Sequence, residues 1–163
     1  MWKVWNDRSL PDTTRLSALY DISWDGYIYS DPDSTFHLAL MMLSLARESQ
    51  QKKWEAKAYN AMAAASWILG NYKEAINNYN LKLQINRQLK DLEGLASCYN
   101  NIGLVYQDMG DYEKAIESHE ESLRIKQERQ DTNGIAKSYN NLSIIYTRKG
   151  NYPRALDLQF QNL

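Results

Sequence analysis

The sequence predicts an all-α protein, a solenoid of stacked antiparallel helix pairs, and three observations carry that reading. The first is a stretch that recurs. Gly110-Asp111-Tyr112-Glu113-Lys114-Ala115-Ile116 has a counterpart forty residues upstream, Gly70-Asn71-Tyr72-Lys73-Glu74-Ala75-Ile76, and another forty downstream, Gly150-Asn151-Tyr152-Pro153-Arg154-Ala155-Leu156. A degraded copy stands where the period demands it, at Ser30-Asp31-Pro32-Asp33-Ser34-Thr35-Phe36. A fixed period of this size marks a stacked repeat in which each unit supplies part of a shared core. The second observation is that the register holds elsewhere: Tyr59, Tyr99 and Tyr139 match, as do Met62, Ile102 and Leu142, and Leu43, Leu83 and Leu123. The third is composition. Three prolines, seven glycines and 24% charged residues in 163 suit helices.

Taken in order, residues 1–10 hold a short helix in which Trp2 and Trp5 are expected to be buried, because Trp5 falls one period before Leu45. Pro11-Asp12 breaks it. Four units follow, at about 13–52, 53–92, 93–132 and 133–163, the last truncated, and together they form a single repeat domain. The first full helix runs from Thr13 to Tyr29, with Ala18, Leu19, Ile22, Gly26 and Tyr29 as its core stripe. The same positions recur as Ala58, Tyr59, Met62, Ser66 and Leu69; as Cys98, Tyr99, Ile102, Tyr106 and Met109; and as Ser138, Tyr139, Leu142, Tyr146 and Lys149. The residue after the central aliphatic is always small (Ser23, Ala63, Gly103, Ser143), which lets a neighbouring helix come close. Lone Cys98 reads as a small core filler and excludes an intramolecular disulfide.

Each first helix stops at the recurring turn. Gly70, Gly110 and Gly150 can take the left-handed conformation that closes a helix. Asn71, Asp111 or Asn151 then caps the next one, and Glu74 is placed to complete a capping box behind Asn71. In the degraded copy Asp31 caps and Pro32 takes the first helical position. The second helices run to about Gln50, Lys90 and Gln130, with Ala75, Ala115 and Ala155 on their core face.

A small residue in the first helix, tyrosine near its end, Gly-Asp/Asn-Tyr at the turn and alanine three residues on together resemble the tetratricopeptide repeat (TPR). Repeat three carries the pattern best, in Tyr99, Ile102-Gly103, Tyr106, Gly110, Tyr112, Ala115, His119 and Ser122. The period of forty resembles the longer-helix subclass found in scaffolding proteins, kinesin light chains and bacterial peptide-sensing regulators. HEAT and armadillo arrays have a similar period but lack the Gly-Asp-Tyr-x-x-Ala turn. The resemblance implies a right-handed superhelix. The opening unit, with Ile22-Ser23-Trp24-Asp25-Gly26-Tyr27, resembles the start of repeat arrays in bacterial signalling proteins, ahead of a nucleotide cyclase or histidine kinase output.

A net charge of −1 offers no basic surface to nucleic acid and no polybasic anchor to a membrane. The longest apolar run, Leu38 to Leu43, is far short of a spanning helix, and no signal peptide is visible. The segment is therefore read as soluble, cytoplasmic by default, or periplasmic if its parent is a membrane-anchored sensor. No catalytic motif, cofactor loop or metal set is present, so an enzyme is not expected. His37 and His119 are read as packed or half-exposed core histidines rather than metal ligands.

The resemblance implies instead that first-helix asparagines line a concave groove and hold the backbone of an extended peptide from a protein partner. Asn60, Asn100 and Asn140 form one column, and Asn101 and Asn141 a second, with Asp21 and Ala61 upstream of it. A primary amide suits the task, since it donates to a carbonyl while accepting from an N–H. Lys57, Lys137 and Arg148 could attract carboxylates, although Ser97 breaks the lysine column, and Trp67, Trp24, Leu104 and Ile144 offer apolar pockets. Two other readings stand beside it: amides that only bridge adjacent helices, and a structural spacer that self-associates. For the latter, the last helix runs by the period to about residue 170, so Ile145, Leu156 and Phe160 are expected to be partly uncovered. Contact between the C-terminal ends of two chains would cover them.

Overall fold

Turn chemistry sets the element order. The computed structural model describes residues 1–161, and among these the chain is all-α, with nine α-helices, one π-helical segment and no strand. It divides into two compact units, Met1–Leu89 and Lys90–Leu163. The first holds α1 (Trp2–Asn6), α2 (Asp12–Asp21), the π segment (Ile22–Tyr27), α3 (Pro32–Glu48), α4 (Lys52–Ile68) and α5 (Tyr72–Leu89). The second holds α6 (Leu92–Met109), α7 (Tyr112–Glu128), α8 (Thr132–Arg148) and α9 (Tyr152–Phe160).

Gly70, Gly110 and Gly150 take φ of 77°, 79° and 75°, the left-handed cap the sequence anticipates. The opposite turns use the same geometry without glycine: Gln50, Lys90 and Gln130 have φ of 55°, 54° and 55°. A side chain in that region costs about 1–2 kcal/mol, so the residue type does not announce the left-handed geometry, although the helix ends fall where the period places them. Aspartate follows at two of them and caps the next helix. Asp91 accepts from the Gly94 N–H at 2.9 Å, and Asp131 from the Gly134 N–H at 2.9 Å. At the glycine turns Asp111 and Asn151 accept from the N–H groups of Lys114 and Arg154, both at 3.3 Å. Asp31 accepts from the Ser34 N–H at 3.1 Å, with Pro32 next to it in the first turn. Glu74 does not close a capping box. The Asn71 N–H donates to the Ser66 carbonyl at 2.8 Å, and the Glu74 carboxylate accepts from the Ser66 hydroxyl at 3.1 Å.

In the first unit Leu16, Leu19, Ala39, Met42, Ala46 and Ala58 are completely buried, and Ile22, Tyr59 and Met62 nearly so. In the second, Cys98, Val105, Ala115 and Ile145 are completely buried, with Ile102 and Leu142 close behind. The stripe fails at its far end. Gly26, Tyr29, Leu69, Met109 and Lys149 are exposed; the last four stand at the ends of their helices, whereas Gly26 lies in the π segment and its counterpart Ser66 is buried. Tyr29 has a second cause. The helix expected over 13–29 is α2 followed by π winding, whose i→i+5 turn rotates the chain less per residue, so Ile28 points inward instead. Trp2, expected inside, is 44% exposed, whereas Trp5 is half-buried under the Arg15 guanidinium, which also donates to the Trp5 carbonyl at 3.1 Å. Ile145 is covered, since it continues the inward column of Ala65 and Val105.

The two small columns meet. Thr35 stands where the other units have Ala75, Ala115 and Ala155, and its buried hydroxyl donates to the Ser23 carbonyl at 3.0 Å. The Ser143 hydroxyl donates to the Ala155 carbonyl at 3.2 Å in the same relative place. At Gly103 the approach is tighter still: a β-carbon there would stand 2.8 Å from His119 Nε2. Ala115→Trp is therefore expected to cost roughly 1–3 kcal/mol or more by overpacking this seam, read as a lower denaturant midpoint.

His119 is fully buried and neither ring nitrogen has a hydrogen-bond partner among the described residues. Burial, with a smaller push from the Lys126 charge, lowers its pKa to about 4. His37, by contrast, is exposed, with Nδ1 2.8 Å from the Asp33 carbonyl. The imidazole of His119 is thus neutral in the fold, while the unfolded chain takes up a proton below its ordinary value of about 6.5. Stability from this group is complete above that value and is lost as pH falls toward about 4, by up to about 3 kcal/mol. Chemical denaturation across that window should show a slope that His119→Phe flattens.

Candidate functional site

The first helices of the pairs carry the amides, and each unit has its own set. In the first, α4 places Asn60 half-buried, with its Oδ1 accepting from Lys82 Nζ of α5 at 2.8 Å. Lys57, one turn earlier, lies over the Trp54 ring at 4.1 Å and the Tyr20 ring at 5.1 Å. Tyr20 in turn stacks on Trp24 at 5.8 Å and meets Trp54 edge-on at 6.3 Å. Burial, then the charges of Asp25 and Asp21, hold the Tyr20 phenol above its ordinary pKa. The sequence singles out Lys57 and Trp24 separately, for carboxylates and for an apolar pocket, and does not anticipate their meeting with Tyr20 and Trp54. The cluster's signal was present in Tyr20, Trp24, Trp54 and Lys57 at spacings of three and four residues. Trp67 is half-buried near the end of α4.

In the second unit α6 and α8 carry the rest. Asn141 Nδ2 donates to Asn100 Oδ1 at 3.0 Å, so one amide of α8 is joined to one of α6. Asn101 is half-buried and Asn140 exposed, and neither side chain has a hydrogen-bond partner among the described residues. Leu104 is half-buried one turn beyond Asn100, and Ile144 is exposed one turn beyond Asn140. Lys137 and Arg148 are exposed, with no ion pair among the described residues. This face offers unused donors and acceptors beside an apolar surface. Among the described residues no group of three His, Cys, Asp or Glu is placed to hold a metal ion, and no helix is long and apolar enough to cross a membrane.

Comparison with known proteins agrees with the turn pattern. Tetratricopeptide-repeat family models match residues 54–128 and 135–159. The chain carries tetratricopeptide repeats. No curated protein sequence matches it. Among solved structures it is similar to BtubC from P. vanneervenii, with 19% identity and a TM-score of 0.83 over 99% of this chain and 66% of that one. It is similar to a Rap protein complexed with Competence and Sporulation Factor, at 17% identity and a TM-score of 0.84, over 94% of this chain and 43% of the other. MamA matches at 22% identity and a TM-score of 0.71 over 99% and 81%. The TPR chain thus spans less than two thirds of BtubC and under half of the Rap protein. At these identities the likeness shows the fold, an all-α TPR solenoid.

The two kinds of amide should separate on mutation. Asn141→Ala removes the bridge to Asn100 and is expected to cost about 1 kcal/mol. Asn140→Ala removes no side-chain hydrogen bond among the described residues and should stay within about 0.5 kcal/mol of the parent. Urea unfolding of both variants checks it.

Proposed function

We propose that this TPR chain is a protein-interaction module whose α6–α8 face holds an extended peptide segment of a partner protein. The observation that carries the proposal is the pair of unpartnered amides, Asn101 and Asn140, beside the joined pair Asn100–Asn141. The joined pair spaces the two helices, and the unpartnered pair can read a peptide backbone. Leu104 and Ile144 give alternate side chains somewhere to go, and Lys137 and Arg148 supply charge at the edges. Asn60, Lys57 and Trp67 offer a second, separate patch on α4, where Asn60 and Lys57 already have partners within the chain. The Rap structure is a TPR-like relative in complex with Competence and Sporulation Factor, which supports a sensory role in a larger bacterial signalling protein. The near-neutral charge means that binding should depend only moderately on salt.

A second reading, a self-associating spacer, is favoured by exposed apolar residues on α9. A peptide array probed with the whole chain distinguishes the two. Bound peptides should lose at least tenfold in affinity, about 1.4 kcal/mol, to the Asn101→Ala/Asn140→Ala variant while its thermal midpoint is unchanged. Peptides held equally well by parent and variant would remove the α6–α8 face as the site.

A further inference from the structure

In the first unit a lysine lies on an aromatic platform with no carboxylate to pair with. Lys57 Nζ stands 4.1 Å from the centre of the Trp54 ring and 5.1 Å from that of Tyr20. A ring face attracts a positive charge within about 6 Å of its centre. Lys57 is exposed and makes no ion pair or hydrogen bond among the described residues, so the rings hold its ammonium. Tyr20, Trp24 and Trp54 are themselves half-buried, with Tyr20 stacked on Trp24 and all three packed against the core of the unit. The platform is firm, and the lysine on it ends a flexible stem.

Two charges beside the rings are unmatched. Asp21 and Asp25 follow Tyr20 and Trp24 directly in the chain, and neither carboxylate has an ion pair or hydrogen bond among the described residues. After burial, their charges are what hold the Tyr20 phenol above its ordinary pKa, so rings and carboxylates share one neighbourhood. From Leu16 to Ala46 the sequence carries four aspartates and no lysine or arginine. Elsewhere in the same unit the chain shows what satisfies a ring and a carboxylate together. The Arg15 guanidinium lies 5.2 Å from the centre of the Trp5 ring while its Nη1 donates to Asp12 at 2.9 Å. A guanidinium can do both because it is planar: its face stacks on a ring and the N–H groups along its edge reach a carboxylate. An ammonium is a point charge, and that of Lys57 takes the rings and leaves the aspartates.

We propose that the platform of Tyr20, Trp24 and Trp54, with Asp21 and Asp25 beside it, docks an arginine side chain of a partner protein. The guanidinium stacks on the rings in place of the Lys57 ammonium and donates to the aspartates. Trp24 and Asp25 lie in the π segment, a kind of winding found frequently at functional sites. Lys57 acts as a placeholder that tunes affinity, because its charge must leave the rings before another enters. The site lies wholly within the first unit and goes beyond the α6–α8 face proposed above, so neither reading depends on the other.

The five tryptophans of the whole chain give five indole N–H signals in a proton–nitrogen correlation spectrum, assigned by single Trp→Phe replacements. The probes are acetyl-Gly-Arg-Gly-amide and the same peptide with citrulline, a neutral analogue of arginine. The arginine peptide should shift the Trp24 and Trp54 signals saturably and leave that of Trp5, already under Arg15, in place. Citrulline should cost at least about fivefold in affinity. Lys57→Met, which keeps an apolar stem and removes the competing charge, should tighten binding by about threefold. Asp21→Asn/Asp25→Asn, confirmed as folded by circular dichroism, should weaken it by at least about fivefold. Asn101→Ala/Asn140→Ala should leave the affinity unchanged, so failure here and failure of the α6–α8 face are read separately. No shift of Trp24 or Trp54 up to the solubility limit of the arginine peptide overturns the proposal, as do arginine and citrulline peptides bound equally. Weaker binding by Lys57→Met overturns it too, because the lysine would then be the contact and its ligand an anion.

Discussion

Everything in these repeats depends on how closely the two helices of a pair approach. The seam is made of two columns of small residues: Ser23, Ala63, Gly103 and Ser143 on the first helices, and Thr35, Ala75, Ala115 and Ala155 on the second, all buried. Small side chains bring backbones close enough for a hydroxyl on one helix to reach a carbonyl on the other, as Thr35 and Ser143 do. The same proximity leaves no freedom to enlarge either column, since interiors are packed as tightly as organic crystals. Each pair can then repeat its neighbour with different surface residues.

His119 shows the cost of one local solution. Where repeat two buries Tyr79 at the matching position, repeat three packs His119 against Gly103. The imidazole fills the space that the missing β-carbon leaves. It does so with two polar nitrogens unsatisfied, a penalty that a hydrocarbon ring would avoid. The resulting pH sensitivity follows from packing, and no catalytic role is needed to explain it.

The surface asparagines divide by the same logic of partners. Asn60 and Lys82, and Asn100 and Asn141, are matched donor to acceptor within their units, and each joins two helices. Asn101 and Asn140 have no side-chain hydrogen-bond partner among the described residues. Lys57 is likewise taken, held over two aromatic rings, where a cation gains from the ring quadrupole without a carboxylate. Identical residue types one period apart therefore have different jobs, because a repeated backbone does not repeat its neighbours.

The fold class, the period, the glycine turns, the aspartate and asparagine caps and most of the core were legible in the sequence. They depend on local chemistry: a left-handed glycine, an acceptor ahead of free N–H groups, apolar residues three and four apart. Three matters needed the tertiary structure. The π winding at Ile22–Tyr27 changes which side chains face inward, and a periodicity argument that assumes one helical pitch cannot see it. The left-handed caps at Gln50, Lys90 and Gln130 are imposed by where the next helix must go, against the preference of the residues. Which amides are matched and which are open depends on distances of a few ångströms between helices forty residues apart, and sequence spacing carries no such information.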